Sequence, residues 1–139
     1  MKKIIAIIFI FNCLFCFSQT KTIHVAKENE SEVYTVVEEP AEFPGGTQEM
    51  YKYIANNIVF PNSARQDTTF SGCKTYVKFI VGQEGSVYNV ELIKGCKGCS
   101  DCDKEAIRVV KAMPKWKPAK LKGEQVQVYY NLPINFKMK

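Results

Sequence analysis

The chain is 139 residues long, with 46% hydrophobic and 24% charged residues, 8 Gly, 6 Pro and 6 Cys, a balance that excludes a disordered chain, a collagen and a low-complexity tail. One domain of this length buries roughly two thirds of the surface its unfolded chain exposes, so it needs no metal or crosslink merely to fold. With Lys2 and Lys3 set aside, 17 cations face 14 acids, a formal excess of +3 that is too small to argue for nucleic acid.

Lys2 and Lys3 precede an apolar run from Ile4 to Phe17, interrupted only by Asn12, which is the layout of an export signal. The run is 14 residues, whereas a membrane-spanning helix needs about 20. Cys16 and Ser18 occupy the −3 and −1 positions of a cut before Gln19, so residues 1–18 are expected to be removed. Inner-membrane anchoring through an uncleaved N-terminus is the alternative. A lipid anchor fits worse, because neither Cys13 nor Cys16 follows a small residue. Export brings the remaining thiols into contact with oxidants.

Residues 19–36 read as a flexible tether, and residues 37–139 as the domain. The tether carries the only histidine, His24. The domain therefore has no histidine base for Ser, Cys or metal chemistry, and no enzyme, catalytic residue or cofactor is expected. Charge is polarised along the chain: residues 21–51 hold two Lys and seven Glu, while residues 94–139 hold ten Lys and Arg108 against four acids. Lys111, Lys115, Lys117, Lys120 and Lys122 read most simply as a solvated face, with an acidic partner or anionic lipid as the sharper alternative.

Val33 to Val37 is a possible strand, followed by an irregular turn from Glu38 to Gly46 with two Pro and two Gly. Thr47 is placed to cap a helix in which Met50, Tyr51, Ile54 and Ile58 recur at three- and four-residue spacing, until Pro61 ends it. From Cys73 the period becomes two, with Thr75, Val77, Phe79 and Val81 on one side of a strand. Gly82-Gln83-Glu84-Gly85 turns the chain into a returning strand whose Tyr88, Val90 and Leu92 share a face. Ser100 or Asp101 caps a second helix with an Ala106, Ile107, Val110, Met113 stripe, ended by Pro114. In the last strand Val126, Val128, Tyr130, Leu132, Ile134 and Phe136 alternate with Gln125, Gln127, Tyr129, Asn131, Pro133 and Asn135. Trp116, between Lys115 and Lys117, is expected to fold back onto the core rather than stand exposed as a cation and aromatic site.

The order α-β-β-α-β predicts an α+β fold, with two helices packed on one face of a small three-stranded antiparallel sheet. Pro133 has no N–H and is tolerated where a strand has a free side, so the last strand is expected at the sheet edge. Such an edge accepts a second chain by backbone pairing, and Gln127, Tyr129 and Asn131 would read its side chains.

Three motifs carry a family resemblance: Glu42-Phe43-Pro44-Gly45-Gly46; Asp103-Lys104-Glu105-Ala106 running on to Met113-Pro114-Lys115-Trp116-Lys117-Pro118; and Leu132-Pro133-Ile134-Asn135-Phe136. With the hairpin they cover residues 37–137, and the chain resembles the C-terminal domain of TonB energy transducers in the form common among Bacteroidetes. The resemblance implies a periplasmic module whose edge strand pairs with the TonB-box peptide of TonB-dependent outer-membrane receptors. It makes Val126, Gln127, Val128, Tyr129, Tyr130 and Asn131 the expected partner-binding residues, with a homodimer through the same edge as a further possibility. A full transducer adds a membrane helix with a histidine that engages ExbB and ExbD, and a long Pro-rich linker. This sequence shows neither, so a free-standing binding module is expected, and ExbB or ExbD contact is not.

Cys73, Cys96, Cys99 and Cys102 depart from the family pattern. The hairpin register sets Cys73 opposite residue 94, so a disulfide from Cys73 to Cys96 or to Cys99 is geometrically reasonable. Four cysteines allow three pairings, and the spacing alone selects none. A zinc site built from all four, redox-active thiols near the helix N-terminus and an iron-sulfur cluster are the alternatives to structural disulfides. A periplasmic thiol/disulfide or zinc-binding protein on the same scaffold is thus the alternative function.

Overall fold

The computed structural model describes residues 32–138 and contains β1 (Val33–Tyr34), α1 (Thr47–Asn57), α2 (Asn62–Gln66), β2 (Cys73–Val81), β3 (Val87–Lys94), α3 (Ser100–Lys111), β4 (Ala119–Leu121) and β5 (Glu124–Phe136). The apolar run, its cleavage point, His24 and most of the tether lie outside the described residues. No helix among the described residues is long and apolar enough to cross a membrane.

The fold is α+β, and the expected antiparallel sheet is its centre, with β5 pairing β2 and β2 pairing β3. Three further elements surround it. β1 adds to β5 in parallel, β4 forms a hairpin with the start of β5, and the five-residue α2 follows Pro61. Lys122 and Gly123 both adopt positive φ, which is the backbone of a two-residue hairpin turn.

Period-two patterning places one face of the sheet inward as expected. Thr75, Val77, Phe79 and Val81 of β2, and Val128, Leu132, Ile134 and Phe136 of β5, are buried with Met50, Ile54, Ala106, Val109 and Val110 from the helices. Helix starts differ from expectation. Gly46, at φ 88, precedes α1, and Thr47 is already helical with no side-chain cap. Cys99, not Ser100 or Asp101, caps α3 by accepting the N–H of Cys102 on its sulfur. Tyr51 is exposed and Tyr53 packs on the core in its place, while Val109 replaces Ile107 in the fully buried stripe of α3.

β3 departs most from the simple alternation. Register shifts interrupt its pairing between Tyr76 and Val77 and between Lys78 and Ile80, and Asn89 adopts φ 51. Each extra residue reverses which side of the sheet the next side chain meets. Tyr88 therefore lies opposite Ile80 while Leu92 lies opposite Val77, so the two do not share the face that strict alternation predicts.

The family motifs meet in space. Glu42 and Lys117 exchange backbone hydrogen bonds at 3.0 and 2.8 Å, as do Glu39 and Lys120 at 3.1 and 2.9 Å, so the acidic N-terminal stretch is laid against the basic one. Trp116 is 3% exposed, with its ring edge-on to Phe43, Phe79 and Tyr130, which bears out the expectation that it folds onto the core. Its backbone N–H donates to Gly85 O at 2.8 Å, tying the β2–β3 turn to this layer. Lys115 and Lys117 beside it are exposed.

Candidate functional site

The site is a strand edge, so its geometry is set by backbone pairing. Val128 is opposite both Val81 of β2 and Tyr34 of β1, which puts β1 on the side of β5 away from β2. β1 covers only Gln127 and Val128. From Tyr129 to Phe136 every residue is paired to β2, and no described strand lies on the other side. The expectation of an edge strand therefore holds for Tyr129–Phe136 and fails for Glu124–Val128, which β4 and β1 already engage.

Pro133 fixes which groups face the open side. It is opposite Tyr76 within an unbroken ladder, and a residue without an N–H fits an antiparallel ladder only at a pair that exchanges no hydrogen bonds. Alternation then directs the N–H and C=O of Tyr129, Asn131 and Asn135, with the C=O of Pro133, away from β2. The parallel pair of Tyr34 with Val128 engages the N–H of Tyr129, so a partner strand laid beyond it meets two donors, at Asn131 and Asn135, and four acceptors.

The six residues expected to bind a partner thus divide. Val126 is opposite Ala119, Gln127 and Val128 lie under β1, and Tyr129, Tyr130 and Asn131 border the open stretch. Tyr130 turns its ring inward, stacked on Phe79, where burial raises its phenol above the ordinary value. Tyr129 and Asn131 are exposed, and the Lys78 ammonium sits 4.0 Å over the Tyr129 ring.

At its Phe136 end the open edge runs into a groove of about 600 Å³, floored by Ile58, Phe60 and Phe136 and flanked by Arg65 and Lys137. The elements expected from the sequence do not build this groove. Its far wall depends on α2, and the Asn62-Ser63 pair after Pro61 was the available sign of a new helix. Asn57 to Phe60 is held from α3: Arg108 Nη2 donates to Asn57 O at 2.7 Å, and Glu105 Oε1 accepts the N–H of Val59 at 2.7 Å. The Arg108 guanidinium beside Glu105, helped by the Val59 N–H, holds that carboxyl below the usual carboxylate range.

The four cysteines of the domain form two disulfides, Cys73–Cys96 and Cys99–Cys102. The bulges in β3 displace the register, yet Cys73 and Cys96 still stand 5.5 Å apart between Cα atoms. Asp103 sits behind them, accepting the Cys96 N–H at 2.8 Å and the hydroxyl of buried Thr75 at 3.1 Å.

The model of the Gram-negative bacterial TonB protein C-terminal family matches residues 56–138. No curated protein matches the chain significantly. The match spans α2, the hairpin, α3 and all of β5, and Glu42-Phe43-Pro44-Gly45-Gly46 lies ahead of it. The chain belongs to the TonB C-terminal family, whose domains are non-enzymatic, periplasmic protein-interaction domains associated with TonB-dependent transport.

Proposed function

We propose that the chain is a periplasmic module that captures the TonB-box peptide of an outer-membrane receptor by adding it as a strand to β5, from Tyr129 to Phe136. The observation that carries this reading is the long stretch of β5 that is satisfied by β2 on one side and has no described strand on the other. Backbone pairing supplies affinity in such a mode, and pockets for alternate side chains supply selectivity. Tyr129 and Asn131 supply the side-chain contacts along the edge. Phe60 and Phe136 suit an apolar side chain at its end, with Arg65 and Lys137 placed for a neighbouring carboxylate. Export with removal of residues 1–18 delivers the module, which then starts at Gln19.

A synthetic TonB-box peptide titrated into the full chain tests the reading. Amide exchange should slow at Asn131 and Asn135 on binding, with no comparable change on β3. Asn131→Pro removes an outward N–H while leaving the β2 ladder intact, and should weaken the peptide about two- to tenfold, the loss of one net hydrogen bond. Exchange protection confined to another surface, or an Asn131→Pro chain that binds normally, defeats the proposal. Sedimentation of the peptide-free chain shows whether a second copy pairs through the same edge, in which case the peptide must compete with the dimer. Intact mass of the exported protein tests the cut before Gln19, and a retained Met1 restores the membrane-anchored alternative.

A further inference from the structure

The two disulfides belong to one cluster. Cys73 opens β2, Cys96 and Cys99 lie in the loop into α3, and Cys102 lies in the first turn of that helix. The Sγ atoms of Cys73, Cys96 and Cys102 all lie within 4.8 Å of one another, and Cys99 is bonded to Cys102. Cys73–Cys96 spans a separation of 23 residues and restrains the unfolded chain accordingly. Cys99–Cys102 spans only 3, across a turn already closed by the Cys102 N–H to Cys99 O hydrogen bond at 3.1 Å, and restrains far less.

The backbone around the loop has the features of a chelating turn. Cys99 N–H donates to Cys96 O at 3.2 Å, Gly98 supplies the positive φ of 80° that closes the loop, and the Cys102 N–H points at Cys99 Sγ at 3.2 Å. An N–H aimed at sulfur offsets part of a thiolate's charge. Cys96, Cys99 and Cys102 are buried and Cys73 is half-buried, so the centre is nearly dry. A tetrahedral thiolate site with zinc-to-sulfur bonds of about 2.3 Å spaces its sulfurs about 3.8 Å apart. Once reduced, the sulfurs of each former disulfide move apart toward that spacing, and Cys99 Sγ, which lies outside the group of three, turns in to join it.

We infer that Cys73, Cys96, Cys99 and Cys102 form, once reduced, a four-thiolate site for a thiophilic divalent cation of the zinc class. The cluster then has two exclusive states, two disulfides or one metal ion. Passage between them is balanced by a dithiol donor. Each disulfide takes two electrons and two protons from one dithiol, which is oxidised to its own disulfide, and metal binding then releases the four thiol protons. Either state ties the start of β2 to the loop that leads into α3, so the domain keeps its fold in an oxidising or a reducing setting.

The test uses the full chain, reduced with a phosphine without oxygen and titrated with Co²⁺ as an optical stand-in for Zn²⁺. One Co²⁺ per chain is expected, with sulfur-to-metal charge-transfer and tetrahedral d–d bands that Zn²⁺ abolishes, and none in the disulfide form. Cys73→Ser, equally reduced, should bind at least about tenfold more weakly. Circular dichroism is followed in the same titration, and a reduced chain that loses structure and regains it with metal supports the inference, because binding and folding are linked. No thiolate bands in the reduced chain overturns it. So does equal affinity in Cys73→Ser, since the metal then rests on the loop cysteines without β2.

Discussion

The layer around Trp116 and the open edge of β5 are built on opposite principles. Around Trp116, side chains are specified closely: Phe43, Phe79 and Tyr130 present rings at 4.9 to 5.6 Å, and Gly85 is packed against the Trp116 backbone. At the edge almost nothing is specified beyond a backbone direction, one proline and the lack of a described strand beyond Val128. Two of the motifs that mark the family therefore fall mostly in the first region and report how the domain is held together. The third, Leu132-Pro133-Ile134-Asn135-Phe136, lies in the second, where Pro133 alone says which way the strand faces. The residues most diagnostic of this fold are therefore largely not those that would touch a partner.

The most severe way to break the contrast is Gly85→Ala. A Cβ at this position falls 1.9 Å from Trp116 O, and φ is 87°, so both the contact and the backbone are strained. A loss of at least about 3 kcal/mol is expected, read as a lower denaturation midpoint. Peptide binding should fall only in step with the folded fraction. Trp116→Phe sharpens the same point. The indole Nε1 is buried without a partner, so phenylalanine removes an unpaid desolvation cost along with some packing, and should cost well below the about 3 to 5 kcal/mol of Trp116→Ala.

Cys73→Ser with Cys96→Ser comes next. Freeing a crosslink of separation 23 should cost about 3 kcal/mol in stability under oxidising conditions. TonB-box affinity of the folded fraction should not change, because neither cysteine borders the open edge. A large affinity loss at constant fold would instead join the cluster to the partner site.

The fold was legible wherever one period held over a whole element. β5 alternates from Val126 to Phe136 and β2 from Thr75 to Phe79, and spacing alone assigns their inward faces, although Ile80 on the other face of β2 is buried as well. Helix stripes were read to within a residue or two, with Tyr51 and Ile107 giving way to Tyr53 and Val109 because the helices settle by their neighbours' shape. β3 was misread because a bulge leaves no mark in hydrophobic spacing; only the positive φ of Asn89, a residue tolerant of it, hints at the break. The edge was anticipated from Pro133, but its extent was not, since β1 and β4 cover the start of β5 through contacts distant in sequence for β1 and through a two-residue turn for β4. The groove beside Phe136 needed α2, which is too short to show a period.

A smaller effect comes from pH and falls between the two regions, where α3 holds the segment that floors the groove. Glu105 has its carboxyl lowered chiefly by the Arg108 hydrogen bond, so its contribution is fully present above the unfolded carboxylate range and is lost as pH falls through the lower folded value. Stability of the wild type should therefore drop more on acidification than that of Glu105→Gln, which keeps an acceptor for the Val59 N–H but loses the charge. The substitution itself should cost about 1 to 2 kcal/mol at neutral pH, measured by denaturant titration. Equal acid sensitivity in the two chains would show that this pair does not set it.

The smallest change in stability is expected where the two regions touch, at β1. Val33 and Tyr34 are half-buried and make a two-residue parallel pairing with Gln127 and Val128, so Val33→Gly with Tyr34→Gly should cost no more than about 1 kcal/mol. Its effect on binding depends on peptide length. A peptide confined to Asn131–Phe136 never meets β1 and should bind as before, whereas one long enough to reach Gln127 competes with β1 for the same backbone groups and should bind several-fold more tightly once β1 is weakened. Measuring both peptides against both chains separates competition from a general loosening of the fold. An equal gain for the two lengths means that β1 stiffens β5 and does not occupy the start of the binding edge.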